Sequence, residues 1–233
     1  MKLAALSFAL SLLVLPLAAN AAEEEAESPI SWEISAASDY LFRGVSQTDE
    51  KPTLQGNLTW TAPVGVYVGV AAAGVNFGPG APATELDYTV GYGRSVGESV
   101  ALDVSLNRYT YLGARELNYN ELITTATFAD TYNVTVGYSS NVWNSGSVGL
   151  YYGVGAEWAL PQEFSVSANV GRSIFRDPDA VELDNYTDWG VALSRTLGPA
   201  KISLGYYGTD STARAMLGKT ADNRVMLTVA FSN

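Results

Sequence analysis

The stretch VGLYYGVGAEWAL, Val148 to Leu160, decides how this chain is read. Val148, Leu150, Tyr152, Val154, Ala156, Trp158 and Leu160 fall at every second position. Successive side chains of a β-strand point to opposite faces, so this spacing gives a strand with one apolar face. Pro161-Gln162-Glu163 then turns the chain. Phe164, Val166, Ala168 and Val170 resume the alternation against Ser165, Ser167, Asn169 and Gly171.

Read outward from there, the same period recurs on both sides and predicts about twelve strands. The first covers roughly Ser31 to Gly44. Trp32, Ile34, Ala36, Tyr40 and Phe42 fall on one face, and Glu33, Ser35, Asp39 and Arg43 on the other. The third, about Val66 to Val75, is apolar on both sides, and its faces cannot be assigned. The last places Val225, Leu227, Val229 and Phe231 against Arg224, Met226 and Thr228. Connections after the even strands are short. Those after the odd strands are long and polar, as in Gly78 to Pro82, Gly113 to Asn120, Ser173 to Asp184 and Gly208 to Ala221.

The N-terminus departs from this pattern. Lys2 precedes an apolar run from Leu3 to Ala19, and Ala19-Asn20-Ala21 is a small-x-small cleavage pattern. That order reads as a secretory signal peptide over residues 1–21, cleaved near Ala21. An acidic tether over 22–30, containing Glu23-Glu24-Glu25, would follow. The barrel domain would occupy 31–233.

Composition removes several functions. The 233 residues include no histidine and no cysteine, and 13 Lys and Arg stand against 24 Asp and Glu, a net charge of -11. Ser-His-Asp and Cys-His catalysis and His-based metal centres are excluded. The acidic balance argues against nucleic acid as a partner. Past the leader, no apolar run is long enough for a membrane helix. No Gly-rich phosphate loop appears, and no metal or other cofactor is expected. The acidic loop with Asp177, Asp179, Glu182 and Asp184 reads as a solvated surface rather than a cation site.

Hydrocarbon cannot satisfy an exposed backbone, so a sheet crosses it only by closing on itself. An even strand count and alternating short and long connections fit that solution. The fold expected is therefore all-β: a transmembrane, antiparallel, up-and-down barrel with short periplasmic turns and long external loops. Trp32, Tyr40, Trp60, Tyr138, Trp158, Trp189 and Tyr206 are candidates for the interfacial aromatic girdles. By parity Glu33, Asp39, Arg43, Gln55, Asp87, Asp103, Asp188, Lys201 and Arg224 are candidates for the pore lining, with Asn57, Glu85, Glu121 and Glu157 on the same face. Asp39 and Arg43, four apart on one strand, would lie about 13 Å apart by the strand rise. That is too far to pair with each other, so each is expected to pair across strands.

The string Ser38-Asp39-Tyr40-Leu41-Phe42-Arg43-Gly44-Val45-Ser46-Gln47-Thr48, with Pro52, Gln55 and Gly56 beyond it, resembles the opening of the TorF-type porin family. Glu85-Leu86-Asp87 and Asn120-Glu121 are also similar. The resemblance implies an exported, porin-like outer-membrane barrel and supplies no catalytic residues. Together these readings give an expectation: a non-enzymatic bacterial outer-membrane channel for passive diffusion of small solutes. Its partners would be outer-membrane lipid, the barrel-assembly machinery and the solutes. The alternative is a non-conducting barrel acting through its loops, as an adhesin or envelope-stability protein.

Overall fold

The computed structural model describes residues 28–233. The signal peptide and most of the acidic tether lie outside the described residues. The strands are β1 (Ile30–Ala37), β2 (Thr53–Thr61), β3 (Val66–Gly74), β4 (Thr84–Val96), β5 (Val100–Tyr111), β6 (Tyr119–Phe128), β7 (Tyr132–Ser139), β8 (Gly149–Leu160), β9 (Phe164–Phe175), β10 (Tyr186–Leu197), β11 (Ala200–Thr209) and β12 (Arg224–Ser232). They form one closed, antiparallel, up-and-down barrel. Each strand pairs with its neighbours in sequence. β1 closes the cylinder by pairing with β12, Ile34 standing opposite Phe231, while its other side pairs with β2. Closure leaves the barrel sheet without an open edge.

One end carries five short turns and both described termini; the other carries six longer segments. In the turn between β8 and β9, Gln162 and Glu163 both have positive φ, 63° and 62°. That backbone matches the right-handed twist of the strands it joins. Two short helices, α1 (Pro178–Val181) and α2 (Ser211–Leu217), stand at the long-loop end. The sequence pattern predicts only loop at both. Asp177 caps the first by accepting from Ala180 N at 3.2 Å, and Asp210 caps the second by accepting from Thr212 N at 3.0 Å.

The outer surface is apolar all the way round. Each of the twelve strands contributes at least one exposed large hydrophobic residue, among them Ile34 at 58 %, Leu204 at 55 % and Val225 at 63 % exposure. A water-soluble monomer rarely exposes a contiguous apolar patch beyond ~600 Å². A continuous belt of this kind has the chemistry of a surface meeting acyl chains. Trp32, Trp60, Tyr138, Trp158 and Tyr206 lie in the belt, at 38 to 46 % exposure. Trp189 shares their face and packs edge-on to Tyr206 with ring centroids 5.3 Å apart. Trp32, Trp60 and Trp158 sit toward the short-turn end, and Tyr138, Trp189 and Tyr206 toward the other.

The inner face divides into two halves. Toward the short turns, Glu33, Asn57, Tyr67, Asp103, Glu157 and Lys201 are partly exposed and surround open space. Toward the long loops the interior is filled, and Glu85, Asn107, Tyr109, Glu121, Tyr186 and Thr209 are each at most 2 % exposed. The apolar core lies there, inside the barrel, and includes Phe42, Val45, Tyr109, Trp143, Phe175 and Leu183.

Two expectations need correcting. The first strand ends at Ala37, not Gly44. Tyr40 is not a girdle residue: it is 2 % exposed and belongs to the interior. Phe42, read on the same outer face, is 3 % exposed and also inside. A hairpin that folds back keeps the period of two, so alternation alone cannot tell it from a continuing strand.

Candidate functional site

The filled half is organised by the segment between β1 and β2. At its start, Ser38 N donates to Leu227 O at 2.9 Å and Ser38 Oγ accepts from Leu227 N at 3.0 Å. These bonds fix the point at which the chain leaves the wall. The chain then enters the barrel as a small hairpin with arms Leu41–Phe42 and Val45–Ser46, Phe42 facing Val45. Arg43 and Gly44 make the turn with φ of 47° and 78°. Glycine is needed at the tip, because a Cβ there would lie 2.8 Å from Thr209 Cγ2 and 2.9 Å from Gly208 O. The tip therefore presses against β10 and β11.

Side chains tie the hairpin to strands all round the bore. Asp39, 4 % exposed, accepts from Ser46 Oγ at 2.7 Å and Thr48 Oγ1 at 2.6 Å, and pairs with Arg224 of β12 at 2.6 Å. Tyr40 donates its hydroxyl proton to Glu85 of β4 at 2.9 Å. Arg43 reaches the opposite wall, where Nη2 pairs with Glu121 Oε1 of β6 at 2.8 Å. Its guanidinium carbon stands 4.0 Å from the centroid of the Tyr151 ring on β8 and 4.5 Å from that of Phe42. Gly137 of β7 makes room for this pair, since a Cβ there would lie 2.8 Å from Glu121 Oε1 and 2.9 Å from Arg43 Nη2. At the rim Lys219 pairs with Asp49, and Arg224 reaches Glu50 at 3.5 Å. Lys219, and after it Lys51, hold the Asp49 carboxyl below the usual carboxylate range by hydrogen bonding to it.

Asp39 and Arg43 thus sit on a hairpin rather than on one face of a barrel strand. Each nevertheless finds its partner on another strand. Asp87, Asp188 and Arg224 are on the inner face, enclosed between wall and hairpin, and they border no open passage in this structure. Asp87 Oδ1 and Asp188 Oδ2 are buried without a hydrogen-bond partner among the described residues. Glu33, Gln55, Asp103 and Lys201 are inward-facing too. Of these, Glu33, Asp103 and Lys201 line the open half, where Lys201 pairs with Glu157 at 3.3 Å and Asp103 accepts from Tyr67 Oη at 2.9 Å. On the strands and the hairpin, eight acids point inward (Glu33, Asp39, Glu85, Asp87, Asp103, Glu121, Glu157 and Asp188) against three bases (Arg43, Lys201 and Arg224).

Inner-face tyrosines escaped the sequence reading, which took aromatics as markers of the outer face. Tyr67 stands opposite Gly91, Tyr151 opposite Gly137, and Tyr207 opposite Gly190 across the ladder. The rings lie along the wall over glycines, Tyr67 over Gly91, Tyr151 over Gly171 of β9 and Tyr207 over Gly190, in space that a side chain there would fill. An aromatic between two apolar-face residues on its own strand, such as Tyr151 between Leu150 and Tyr152, was the available signal.

The architecture is similar to that of solved outer-membrane porins. The KdgM porin superposes with a TM-score of 0.56 at 8 % identity, over 86 % of this chain and 98 % of that one. The KdgM porin in complex with disordered oligogalacturonate gives 0.55 at 8 % identity, over 87 % and 97 %. The NanC porin gives 0.55 at 7 % identity, over 86 % and 97 %. At such identities the likeness shows the fold alone. A comparison with curated protein sequences finds no match. The family described as "Bacterial protein of unknown function (Gcw_chp)" matches residues 21–232, nearly the whole chain, and the protein belongs to that family.

Proposed function

We propose that this protein is a bacterial outer-membrane channel through which small solutes diffuse passively, with a preference for cations. The observation that carries the reading is a closed barrel whose wall turns apolar side chains outward and most of its polar and charged ones inward. A cylinder that buries Ser, Thr, Asn and carboxylates while turning leucine and valine outward suits lipid around it and water within. The porin-like fold supports the same reading. So does the resemblance of the Ser38–Thr48 string to TorF-type porins, which stays a resemblance. A leader cleaved near Ala21 would direct the chain for export, and assembly machinery would insert it.

The surplus of inward acids supports the cation preference, since rings of carboxylate favour cations in a pore. Oligogalacturonate, the ligand in one KdgM structure, is a polyacid. The acidic interior here argues against a solute of that charge. Refolded protein in a planar bilayer under a KCl gradient should give discrete current steps with a reversal potential on the cation side. An anion-side reversal potential would remove the preference.

The second reading is a non-conducting barrel that acts through its loops, and the filled half of the interior favours it. Absence of steps from both the native chain and a variant lacking the hairpin would select that reading.

A further inference from the structure

We infer that the segment Ser38 to Pro52 is a movable stopper and that the Arg43–Glu121 ion pair is its latch. The inference rests on the channel reading above and adds how the channel is closed and opened.

Three observations carry it. The first is that the segment is an excursion. Its 15 residues begin and end beside each other, because Ala37 and Thr53, which flank it, are direct cross-strand partners. The wall is complete without it. The second is that the hairpin has its own ladder. Its arms pair only with each other and form a separate two-stranded sheet, while the barrel sheet is closed independently. The segment can therefore move about Ser38 without breaking a barrel-strand pairing, giving up one backbone bond, from Asn76 N to Gln47 O at 2.7 Å.

The third observation is the chemistry of its anchors. Beyond the apolar contacts of Phe42 and Val45, ion pairs hold it at both ends, Arg43 to Glu121 at 2.8 Å at the tip and Asp39 to Arg224 at 2.6 Å at the root, with Tyr40 Oη donating to Glu85 at 2.9 Å between them and Lys219 on Asp49 at the rim. A desolvated ion pair is near break-even against water when both partners are released together, yet removing one partner strands the other charge and is strongly unfavourable. Groups held this way can be let go as a pair, as a latch requires. The root pair stays near Ser38, at the hinge. The tip pair reaches across the bore, and its release lets the hairpin swing toward the long-loop opening. Toward the short turns the inward side chains Glu33, Asn57, Asp103 and Lys201 are partly exposed, unlike the buried ones around the hairpin.

The test uses three variants in planar bilayers. In one, residues 38–52 are replaced by Asn-Gly, a two-residue turn suited to joining adjacent antiparallel strands. The other two are Arg43→Gln and Glu121→Gln, which leave the segment in place and serve if the shortened barrel fails to fold. Heat-modifiable gel migration confirms closure of each barrel. The native protein should open rarely, and the shortened barrel should conduct persistently. Each point variant should raise open probability on the order of tenfold or more, the direction expected from stranding one member of a buried pair.

Identical traces from native and shortened barrels would overturn the stopper and leave the channel standing. A conducting shortened barrel with both point variants as quiet as the native protein would show a fixed plug and overturn the latch. A folded shortened barrel that passes no current would end both the stopper and the channel.

Discussion

Leu204 and Ser203 are neighbours near the middle of β11 with opposite surroundings, and exchanging each for arginine tests the orientation of the whole sheet. Leu204 is 55 % exposed on the outer belt and lies opposite Leu193 and Leu227. Ser203 faces inward, with its hydroxyl 2.8 Å from Ser194 Oγ. Arginine on the lipid face near the bilayer midplane costs about 2–4 kcal/mol in a transmembrane barrel. At Ser203 the main loss is one neutral hydrogen bond, about 1 kcal/mol, while the new guanidinium enters an interior rich in carboxylates. Leu204→Arg should therefore be the worse by roughly 1–3 kcal/mol, a change of about five- to 150-fold in the folding constant. Urea titration of protein folded into lipid vesicles, followed by tryptophan fluorescence and gel migration, measures the difference. Equal stabilities, or a greater loss for Ser203→Arg, would refute the outward placement of the apolar face. In a water-soluble barrel with this surface, Leu204→Arg would cost nothing and improve solubility.

Other outcomes follow from single contacts. Asp39→Asn should destabilise the folded barrel by about 3–5 kcal/mol, the usual loss when a buried ion pair is broken from one side; the shift in urea midpoint measures it. Lys201→Gln removes one of three inward bases, so the reversal potential in a KCl gradient should move further toward the cation limit, and an unchanged or anion-ward value would count against the charge argument. Gly137→Ala places a methyl within 3 Å of both partners of the tip pair, and should cost about 1–3 kcal/mol as an overpacked interior site and raise channel opening.

Period two was legible wherever a strand met lipid on one side and polar space on the other. Twelve strands, the alternation of turn length and the outer aromatics other than Tyr40 and Phe42 all followed from that contrast. The contrast disappears where the interior is itself apolar. β3 could not be given faces because Ala71 and Ala73 point inward in the filled half, Ala73 into a cluster with Tyr40 and Val75, while Val68 and Val70 point outward. The hairpin was missed for a related reason. Tyr40 and Phe42 keep the parity of Trp32 and Ile34, yet they contact the interior. Arg43-Gly44 was the available warning. A turn there, with both residues at positive φ, ends any strand drawn from Ser31 to Gly44. Pairings that cross the bore, such as Arg43 with Glu121, join residues 78 apart in sequence and have no local pattern at all.

The internal core also constrains how the chain enters its membrane. Phe42, Val45, Trp143 and Leu183 lie in segments that emerge at the far rim, and they meet Tyr109 and Phe175 only once those segments have crossed. Translocation would therefore precede consolidation: the cylinder would traverse the bilayer hollow, and its contents would set afterwards from the distal side. Resistance to detergent and heat, which reports ring closure, would then appear earlier in biogenesis than protection of the amides at the centre.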